Sequence, residues 1–358
     1  SRACSDAWLS GEHGPFDWIV KGTGGRLMLE GGSSWGLKAA ADEFIAMLAD
    51  GKPVGIAVLR QGDCRNTCIF PRSKGTNLRI FDYNIWSYTS KTIPATFYSG
   101  DKLLYDPRVA NRSKDLAAVF RCLLPDVICL QEYDSTMDGA LWTLIQDTYA
   151  KAASGTSTWD WTPIFYNTSA LTCKKAEYLC YPAEFSNSGS KSYTIALFTH
   201  KATGKDFIVL CTHLWWKSES AAAGSNQART DQANTFLSKA ASWLESDNVP
   251  VFIMGDMNCT LSSDAMKAVA AAGYHSSAQE AITYRDGSKG YHTCSADEGF
   301  KAETSAELKD NNGGTAIDHI WFGNCENKAD VTHYYIVHTS FTYPMSDHAP
   351  RFIEVAVK

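Results

Sequence analysis

Polar side chains stand beside the ends of six apolar runs in this sequence. Four runs are followed by an amide, a carboxylate or an imidazole and two are preceded by one, and the residues concerned are Asn84, Glu132, His213, Asp256 with Asn258, Asp318, and Asp347 with His348. A single carboxylate after a strand is most often a helix cap or a loop residue. Six such placements in one chain instead predict a common site, because ligands of open α/β sheets bind beyond the carboxyl ends of strands.

Three of these residues carry the oxygen ligands that a hard cation prefers. The carboxylates of Glu132 and Asp347, with the amide of Asn84 nearby, suit Mg²⁺, with Mn²⁺ as a substitute. Mg²⁺ is usually bound by one or two carboxylates together with phosphate groups of the substrate. The pattern therefore predicts a metal-dependent reaction on a phosphate ester.

The remaining residues supply groups for proton transfer and charge stabilisation. His213 and His348 can donate hydrogen bonds or protons to a phosphate whose charge is spreading, and Asp318 can orient His348 as a carboxylate does in a triad. Asp256 is a candidate base for an attacking water, and Asn258 can hold that water in line. A Ser–His–Asp hydrolase is the competing interpretation, but residues 77–358, which hold these groups, contain no G-x-S-x-G elbow.

Apolar runs alternating with helical patterns must position these groups. The runs predict strands over residues 78–85, 126–130, 207–211, 249–254, 317–322 and 351–357, and the helical patterns fall at residues 113–124, 228–244 and 264–272. Asp318 and the Asp347–His348 pair come before their strands, whereas the other groups come after theirs. All of them can reach one edge only if the strands run in both directions. We therefore predict mixed sheets in one large α/β or α+β domain.

Six segments closely resemble, in order, the motif set of the endonuclease/exonuclease/phosphatase superfamily. The segments are RIFDYNIW, PDVICLQEYD, CTHLWW, PVFIMGDMNCT, AIDHIWF and SDHAPRF. The resemblance covers residues 77–358 and implies the deoxyribonuclease-I-like fold, a four-layer α/β-sandwich. It also implies cleavage of a phosphate ester by activated water with the help of a divalent metal.

The same resemblance implies a role for each matching position. It implies that Glu132, supported by Asn84, is the metal carboxylate and that Asp347 is a second acidic ligand. Asp256 and Asn258 would handle the nucleophile and the phosphate, and His213 would stabilise the pentacovalent phosphate. Asp318 and His348 would form an Asp–His pair. The acid that often partners the first histidine of the family is not identified, and Glu177 and Glu184 stay as alternatives.

Charge and composition restrict the substrate. The 358 residues include 33 basic and 39 acidic residues, which gives a net charge of −6, and no stripe of Lys and Arg is present. Such a chain gains little from releasing the counterions of a long polyanion. No apolar stretch approaches the ~20 residues of a membrane span. We expect a small phosphorylated metabolite, sugar or lipid headgroup as substrate. A nuclease acting on DNA or RNA is the alternative, and a non-catalytic binding protein on the same fold is a further one.

Three residues near His213 are candidates for substrate binding. Trp215 and Trp216 follow it closely and can stack on a base, sugar or lipid-like group, and Arg229 stands sixteen residues later at a predicted helix start. The alternative is that the two tryptophans pack the edge of the sheet and that Arg229 caps the surface. The sequence leaves both interpretations open.

The first 75 residues predict a separate accessory module. Short strands at residues 18–20 and 26–29 flank a turn at Gly24–Gly25, a helix carries Phe44 and Leu48, and a further strand covers residues 54–59. This β-β-α-β pattern precedes a linker at residues 71–76, so we predict domains over residues 1–75 and 76–358. A phosphate loop at residues 22–25 is the alternative, but it lacks the Lys–Ser/Thr ending of a P-loop.

Cysteine usage and one acceptor motif bear on the compartment. Eleven cysteines are too sparse for a disulfide scaffold; Cys129 and Cys211 are predicted to be buried, while Cys64 with Cys68 and Cys173 with Cys180 are positions that could pair. Asn258 lies in Asn-Cys-Thr, where glycosylation would destroy a catalytic amide. A glycosylating secretory route is therefore not expected, whereas bacterial export stays open, and we expect an exported or extracellular bacterial protein rather than a cytoplasmic one. The oligomeric state carries no signal in the sequence.

Overall fold

A computed structural model provides the structure of the chain. It describes residues 18–23, 26–31, 40–41, 44–45, 47–49, 60–62, 72–88, 98–99, 102–103, 112–153, 159–187, 189–282, 291–295, 299–301, 316–337 and 345–358. The strands are β1 (Trp18–Thr23), β2 (Arg26–Gly31), β3 (Arg60–Gly62), β4 (Leu78–Asn84), β5 (Tyr98–Ser99), β6 (Lys102–Leu103), β7 (Val127–Gln131), β8 (Tyr149–Lys151), β9 (Ile164–Asn167), β10 (Leu171–Cys180), β11 (Ser192–His200), β12 (Lys205–His213), β13 (Val251–Asp256), β14 (His275–Ser276), β15 (Tyr291–Ser295), β16 (Gly299–Lys301), β17 (Asp318–Gly323), β18 (Ala329–Ile336) and β19 (Arg351–Val357). The helices are α1 (Arg112–Leu123), α2 (Ser135–Ile145), α3 (Ser225–Leu244), α4 (Asp264–Ala271) and α5 (Ser277–Glu280).

Two mixed sheets form the body of the protein. The larger has eight strands in the order β16-β15-β18-β19-β4-β7-β9-β8, and the smaller has six in the order β10-β11-β12-β13-β17-β14. β4 is parallel to β7 and β12 is parallel to β13, whereas β19 is antiparallel to β4 and β17 is antiparallel to β13. The prediction of mixed sheets is confirmed. The two strands that come after their acidic groups, β17 and β19, run antiparallel to β13 and β4, whose polar groups come at the strand end.

Alternation of side chains along the strands produces four layers. Leu78 and Ile80 of β4 share one core with Phe207 and Val209 of β12, so this core lies between the two sheets. The other face of the larger sheet packs on α1 and α2, and the other face of the smaller sheet packs on α3 and α4. Because each buried Leu, Ile or Phe contributes about 1.5–3 kcal/mol, these three cores hold the layers together. The four-layer arrangement matches the expectation.

A small antiparallel sheet precedes the two large ones. Its strand order is β2-β1-β3, and Val20 of β1 is buried with Ala40 and Met47 from the helical residues described at positions 40–49. The strand, strand, helix and strand order agrees with the predicted pattern. The predicted turn at Gly24–Gly25 and the predicted strand at residues 54–59 lie outside the described residues. That this unit is a separate accessory domain stays a prediction.

The segment predicted to be a linker is bound to the larger sheet. Arg72 forms an ion pair with Asp126 at 2.7 Å and donates a hydrogen bond to the carbonyl of Asn77 at 2.8 Å. The backbone N–H of Ser73 donates to Oε2 of Glu354 at 3.0 Å. We therefore place the proposed domain boundary before Arg72 rather than at residue 75.

Cysteine pairing and membrane spanning can be compared with the expectations only in the described residues. Cys173 and Cys180 both lie on β10 and are free, because the extended strand between them holds them far apart. Cys129 and Cys211 are buried as predicted. Cys64 and Cys68 lie outside the described residues. Among the helices that the structure describes, none has the length and apolar character to cross a membrane.

Candidate active site

The ends of four central strands bring the predicted groups together. Asn84 ends β4, Glu132 follows β7, His213 ends β12 and Asp256 ends β13. The parallel register places Asn84 opposite Gln131 and His213 opposite Asp256. A cavity of about 640 Å³ opens at this edge. The described residues lining it are Ser87, Glu132, Trp161, Asn187, Ser190, Lys191, His213, Trp216, Asp256, Asn258, Ile317, Asp347 and His348.

Gly255 permits the close approach of the two strands that carry His213 and Asp256. Its φ is +144°, and a Cβ atom there would lie 1.9 Å from the carbonyl oxygen of Thr212 on the neighbouring strand. Any other residue would push β13 away from β12, so this position requires glycine. Glu132 and Asn258 have left-handed backbones, with φ of 59° and 49°. Such conformations are uncommon outside glycine and occur often at active sites.

Asp256 lies at the centre of the polar network. Its Oδ2 accepts a hydrogen bond from Nδ2 of Asn84 at 2.9 Å and lies 3.3 Å from Nε2 of His213 and 3.7 Å from Nε2 of His348. Its Oδ1 accepts from the backbone N–H of Asn258 at 2.9 Å. Burial alone would raise the pKa of Asp256, but the two neighbouring imidazoles outweigh it and lower this pKa. Asp256 therefore stays ionised and can accept a hydrogen bond from a water.

His348 is held by a buried chain of charges. Its Nδ1 lies 3.0 and 2.9 Å from the two carboxylate oxygens of Asp318, and Nη1 of Arg351 donates to Oδ2 of the same carboxylate at 2.8 Å. Burial would lower the pKa of His348, but Asp318 and Asp256 raise it well above its usual value. The predicted Asp–His pair is therefore present in the geometry, and Nε2 of His348 remains directed towards Asp256 and Asp347.

A buried lysine accompanies the other histidine. Nζ of Lys191 contacts Nε2 of His213, and both side chains are buried. Burial lowers the pKa of Lys191 to about 8, and burial followed by the charge of Lys191 lowers the pKa of His213. Nδ1 of His213 makes no hydrogen bond to any residue that the structure describes. Glu177, one of the two acids considered as its partner, instead forms an ion pair with Lys239 at 2.6 Å.

A family of known proteins shares the sequence pattern behind this geometry. The model of the Endonuclease/Exonuclease/phosphatase family matches residues 83–348. The chain belongs to this family. The match starts near the end of β4 and ends at His348, so it spans all of the site residues predicted from the sequence. A search of the curated proteins finds no match.

Solved structures of this family share the fold. Each of the following is covered over 94–99% of its own length by 78% of this chain, at 16–17% identity. They are the human Nocturnin catalytic domain with bound sulfate (TM-score 0.56), D. rerio TDP2 complexed with single strand DNA product (0.51) and the mannosyl-6-phosphatase Bt3783 of Bacteroides thetaiotaomicron (0.53). At this identity the likeness establishes the deoxyribonuclease-I-like fold alone.

The carboxylates of the cavity fit the metal dependence of the family. Burial, and then repulsion from Glu132 and Asp256, raises the pKa of Asp347 despite the opposing charge of His348. Glu132 accepts hydrogen bonds from the backbone of Ser87 at 3.0 Å and from Asn84 at 3.3 Å. The carboxylate oxygens of Glu132 and Asp347 are the kind of ligand that hard cations prefer. A divalent cation bound by both carboxylates would offset the repulsion between their negative charges. These residues therefore fit such an ion.

A second group of candidate ligands serves better as a hydrogen-bonded network. Asp256, Asp318 and His348 offer atoms within 4.8 Å of one another. Both oxygens of Asp318, however, lie within hydrogen-bond distance of His348, and one of them also accepts from Arg351. A metal there would have to displace these contacts. Glu132 and Asp347, which both line the cavity, are the better candidates.

Only one of the three residues predicted to bind substrate lines the cavity. Trp216 does so and is 53% exposed. Trp215 is 7% exposed, and its indole N–H donates to Oγ of Ser225 at 3.0 Å. Arg229 is buried with its guanidinium bonded to backbone carbonyls of residues 215 and 217. Trp215 and Arg229 therefore do not line the cavity, which corrects the expectation for these two residues.

Several residues of the cavity were not predicted from the sequence. Ser87, Trp161, Asn187, Ser190, Lys191 and Ile317 line it together with the predicted groups. Lys191 stands immediately before β11, whose central residues 195–198 form an apolar run. A charged group directly before a strand with such a run is the signal that could have identified Lys191. The others lie in connecting segments without a comparable pattern.

Proposed function

We propose that the protein hydrolyses the phosphate ester of a small phosphorylated metabolite, sugar or lipid headgroup with the help of Mg²⁺. Membership of the family makes it a phosphoric ester hydrolase, and the proposal adds the kind of ester and the metal. The observation that carries it is the network around Asp256, where an amide and two imidazoles surround one ionised carboxylate beside Glu132 and Asp347.

The chain's own residues have distinct tasks in this proposal. Glu132 and Asp347, supported by Asn84, hold the metal, which when bound supplies positive charge to the phosphate. Asp256 accepts a hydrogen bond from the attacking water and then accepts its proton. Asn258 keeps the water in line, and its own side chain is fixed because Nδ2 donates to the carbonyl of Leu214 at 3.0 Å. Because His348 stays protonated, its Nε2 can donate a proton to the departing oxygen.

The charge of Lys191, together with the neighbouring imidazole of His213, completes the proposed site. The two side chains touch, and both line the cavity. Charge that develops on the non-bridging oxygens of a phosphate is stabilised most by donors that are already in place in a desolvated site. Lys191 is the single Lys or Arg among the described residues that line this cavity. One buried lysine in this lining suits one phosphate group better than a long polyanion.

A side-by-side assay tests the substrate class. Plasmid DNA, RNA, sphingomyelin, and a panel of sugar and inositol phosphates are compared at physiological salt with Mg²⁺ present. We expect turnover of the small esters to exceed that of the polymers. Efficient nicking of plasmid with little activity on the small esters would support the alternative, a nuclease, to which the D. rerio TDP2 complex with single strand DNA product is a structural parallel. Turnover of none of them would support the non-catalytic alternative.

A further inference from the structure

One buried arginine fixes the backbone on both sides of Trp216. Nη1 of Arg229 donates to the carbonyl oxygens of Trp215 at 3.0 Å and of Lys217 at 2.8 Å, and its Nη2 donates to Oδ1 of Asn226 at 2.6 Å. The side chain is 6% exposed. Because one planar guanidinium holds the residues on both sides of Trp216, the backbone of Trp216 has little freedom.

A glutamine one turn later on α3 joins a second loop to the same support. Oε1 of Gln232 accepts from the backbone N–H of Trp215 at 2.8 Å, and its Nε2 donates to the carbonyl of Phe185 at 3.0 Å. The Phe185 and Trp215 rings also meet edge to face at 5.2 Å. The loop that begins at Phe185 carries Asn187 and Ser190 into the cavity. Helix α3 therefore positions both loops.

The exposed surface that results has a distinctive composition. Trp161, Asn187, Ser190 and Trp216 line the cavity, and we refer to them as the recognition wall. Nζ of Lys217 lies 5.5 Å from the centre of the Trp216 ring, so the ammonium covers one part of the indole while 53% of the residue stays exposed. Asn187 and Ser190 bond each other at 3.1 Å and offer both donors and acceptors.

We propose that the recognition wall binds the ring of a sugar phosphate, with Arg229 as a positioning residue. This inference rests on the proposed function and names its substrate class. A sugar ring presents apolar C–H groups on its faces and hydroxyl groups around its rim. The faces suit the indole of Trp216, and the hydroxyls suit the amide and hydroxyl of Asn187 and Ser190. Lys191, the single lysine or arginine among the described residues of the cavity lining, is left for the one phosphate.

The test compares three phosphate monoesters on the full-length chain with Mg²⁺. A panel of hexose phosphates supplies the ring, glycerol phosphate supplies hydroxyls without a ring, and a 5′-nucleotide supplies a planar base. We expect Trp216→Ala to lower kcat/KM for the best hexose phosphate by about 10-fold or more, because the ring loses the apolar surface against which its C–H face packs. The loss should appear in KM, with glycerol phosphate changed by less than about 3-fold. Trp216→Phe should retain most of the affinity.

Arg229 provides the test of positioning. Arg229→Ala should raise KM for the hexose phosphate in the same direction as Trp216→Ala, and the double variant should be little worse than Trp216→Ala alone, because the two residues act as a unit. Arg229→Lys should recover part of the loss. Lys239→Ala is the matched control, since Lys239 lies on the same helix but pairs with Glu177 at 2.6 Å. Thermal unfolding of each variant checks that the fold is retained.

Three outcomes would overturn the inference. Equal losses by Trp216→Ala on the hexose phosphate and on glycerol phosphate would show that Trp216 does not contact the ring. The largest loss on the nucleotide would identify a base rather than a sugar as the ligand. Unchanged KM in an active Trp216→Ala variant would remove the recognition wall from binding. Failure of the wild-type chain to hydrolyse any of the esters would instead refute the proposed function, so the two failures are distinguishable.

Discussion

Asparagine in place of Asp318 separates two contributions of one buried carboxylate. The carboxylate lies within 3.0 Å of Nδ1 of His348 and accepts a hydrogen bond from Arg351 at 2.8 Å. It also raises the pKa of His348, together with Asp256. The amide that replaces the carboxylate would still offer an oxygen to Nδ1, but it would not stabilise the protonated imidazole. We expect kcat to fall by about 10²–10⁴-fold, the usual cost of losing a positioned proton donor.

The same substitution should cost stability, and the cost can be estimated from the ion pair. Asp318 and Arg351 are both buried, and removal of one partner of such a pair costs about 3–5 kcal/mol because the other charge stays buried. His348→Ala leaves the Asp318–Arg351 pair in place. The two variants should therefore lose comparable amounts of kcat but unfold at different urea concentrations, with Asp318→Asn the less stable.

The double variant supplies the decisive measurement. Values of kcat are taken at saturating substrate and metal for Asp318→Asn, His348→Ala and their combination, and urea unfolding is followed separately. Because the two side chains act as one unit, the double variant should be about as slow as the slower single variant. If the two losses multiplied instead, Asp318 would act independently of His348, and the assignment of the pair would be refuted.

Four further outcomes are expected. Excess chelator should abolish turnover and added Mg²⁺ or Mn²⁺ should restore it, while Glu132→Gln should raise the metal concentration needed; full activity in chelator would contradict the assignment. Lys191→Met should lower kcat by about 10²-fold or more in a steady-state assay while the protein remains folded, whereas an unchanged kcat would remove Lys191 from the chemistry. Burial raises the pKa of Asp160 to about 7, so the protonated carboxyl stabilises the folded chain: this stabilising contribution is complete below pH ~4 and is lost as the pH rises through about 7. Asp160→Asn should therefore gain several kcal/mol over wild type in urea unfolding at pH 8 and little at pH 4. A chain that begins at Arg72 should keep turnover of a small ester, and a soluble, folded but inactive product would show that the preceding residues complete the site.

The catalytic strands could be predicted because each is a buried apolar run bounded by a polar group. The six predicted strands all occur, and their ends lie within two residues of the expected ones. β10 was missed because it is the edge strand of its sheet, where the sequence LTCKKAEYLC has no apolar run. α2 was missed because Asp134, which accepts the hydrogen bond of Met137 N–H as N-cap, looks like one more acid after a strand.

The orientation of individual charged side chains could not be predicted in the same way. Arg229 was expected to face a phosphate or the solvent, but two nearby carbonyl groups bind it instead. Arg351 is the first residue of β19, and nothing local identifies Asp318, thirty-three positions earlier, as its partner. A guanidinium pairs equally well with a ligand phosphate, a carboxylate or a backbone carbonyl. Which of these it meets depends on packing between distant segments.

The two parts of the cavity therefore differ in how strongly the local sequence specifies them. Asn84, Glu132, His213 and Asp256 converge because strand direction and register leave their side chains no other edge. Asn187, Ser190 and Trp216 of the recognition wall lie instead on two loops that are held from behind by α3. Substitutions at exposed wall positions can change the bound group without touching a core contact, whereas a change at Gly255 or Asn84 disturbs the network around Asp256 itself. Such a division allows one fold to keep a fixed phosphate chemistry while the group attached to the phosphate varies.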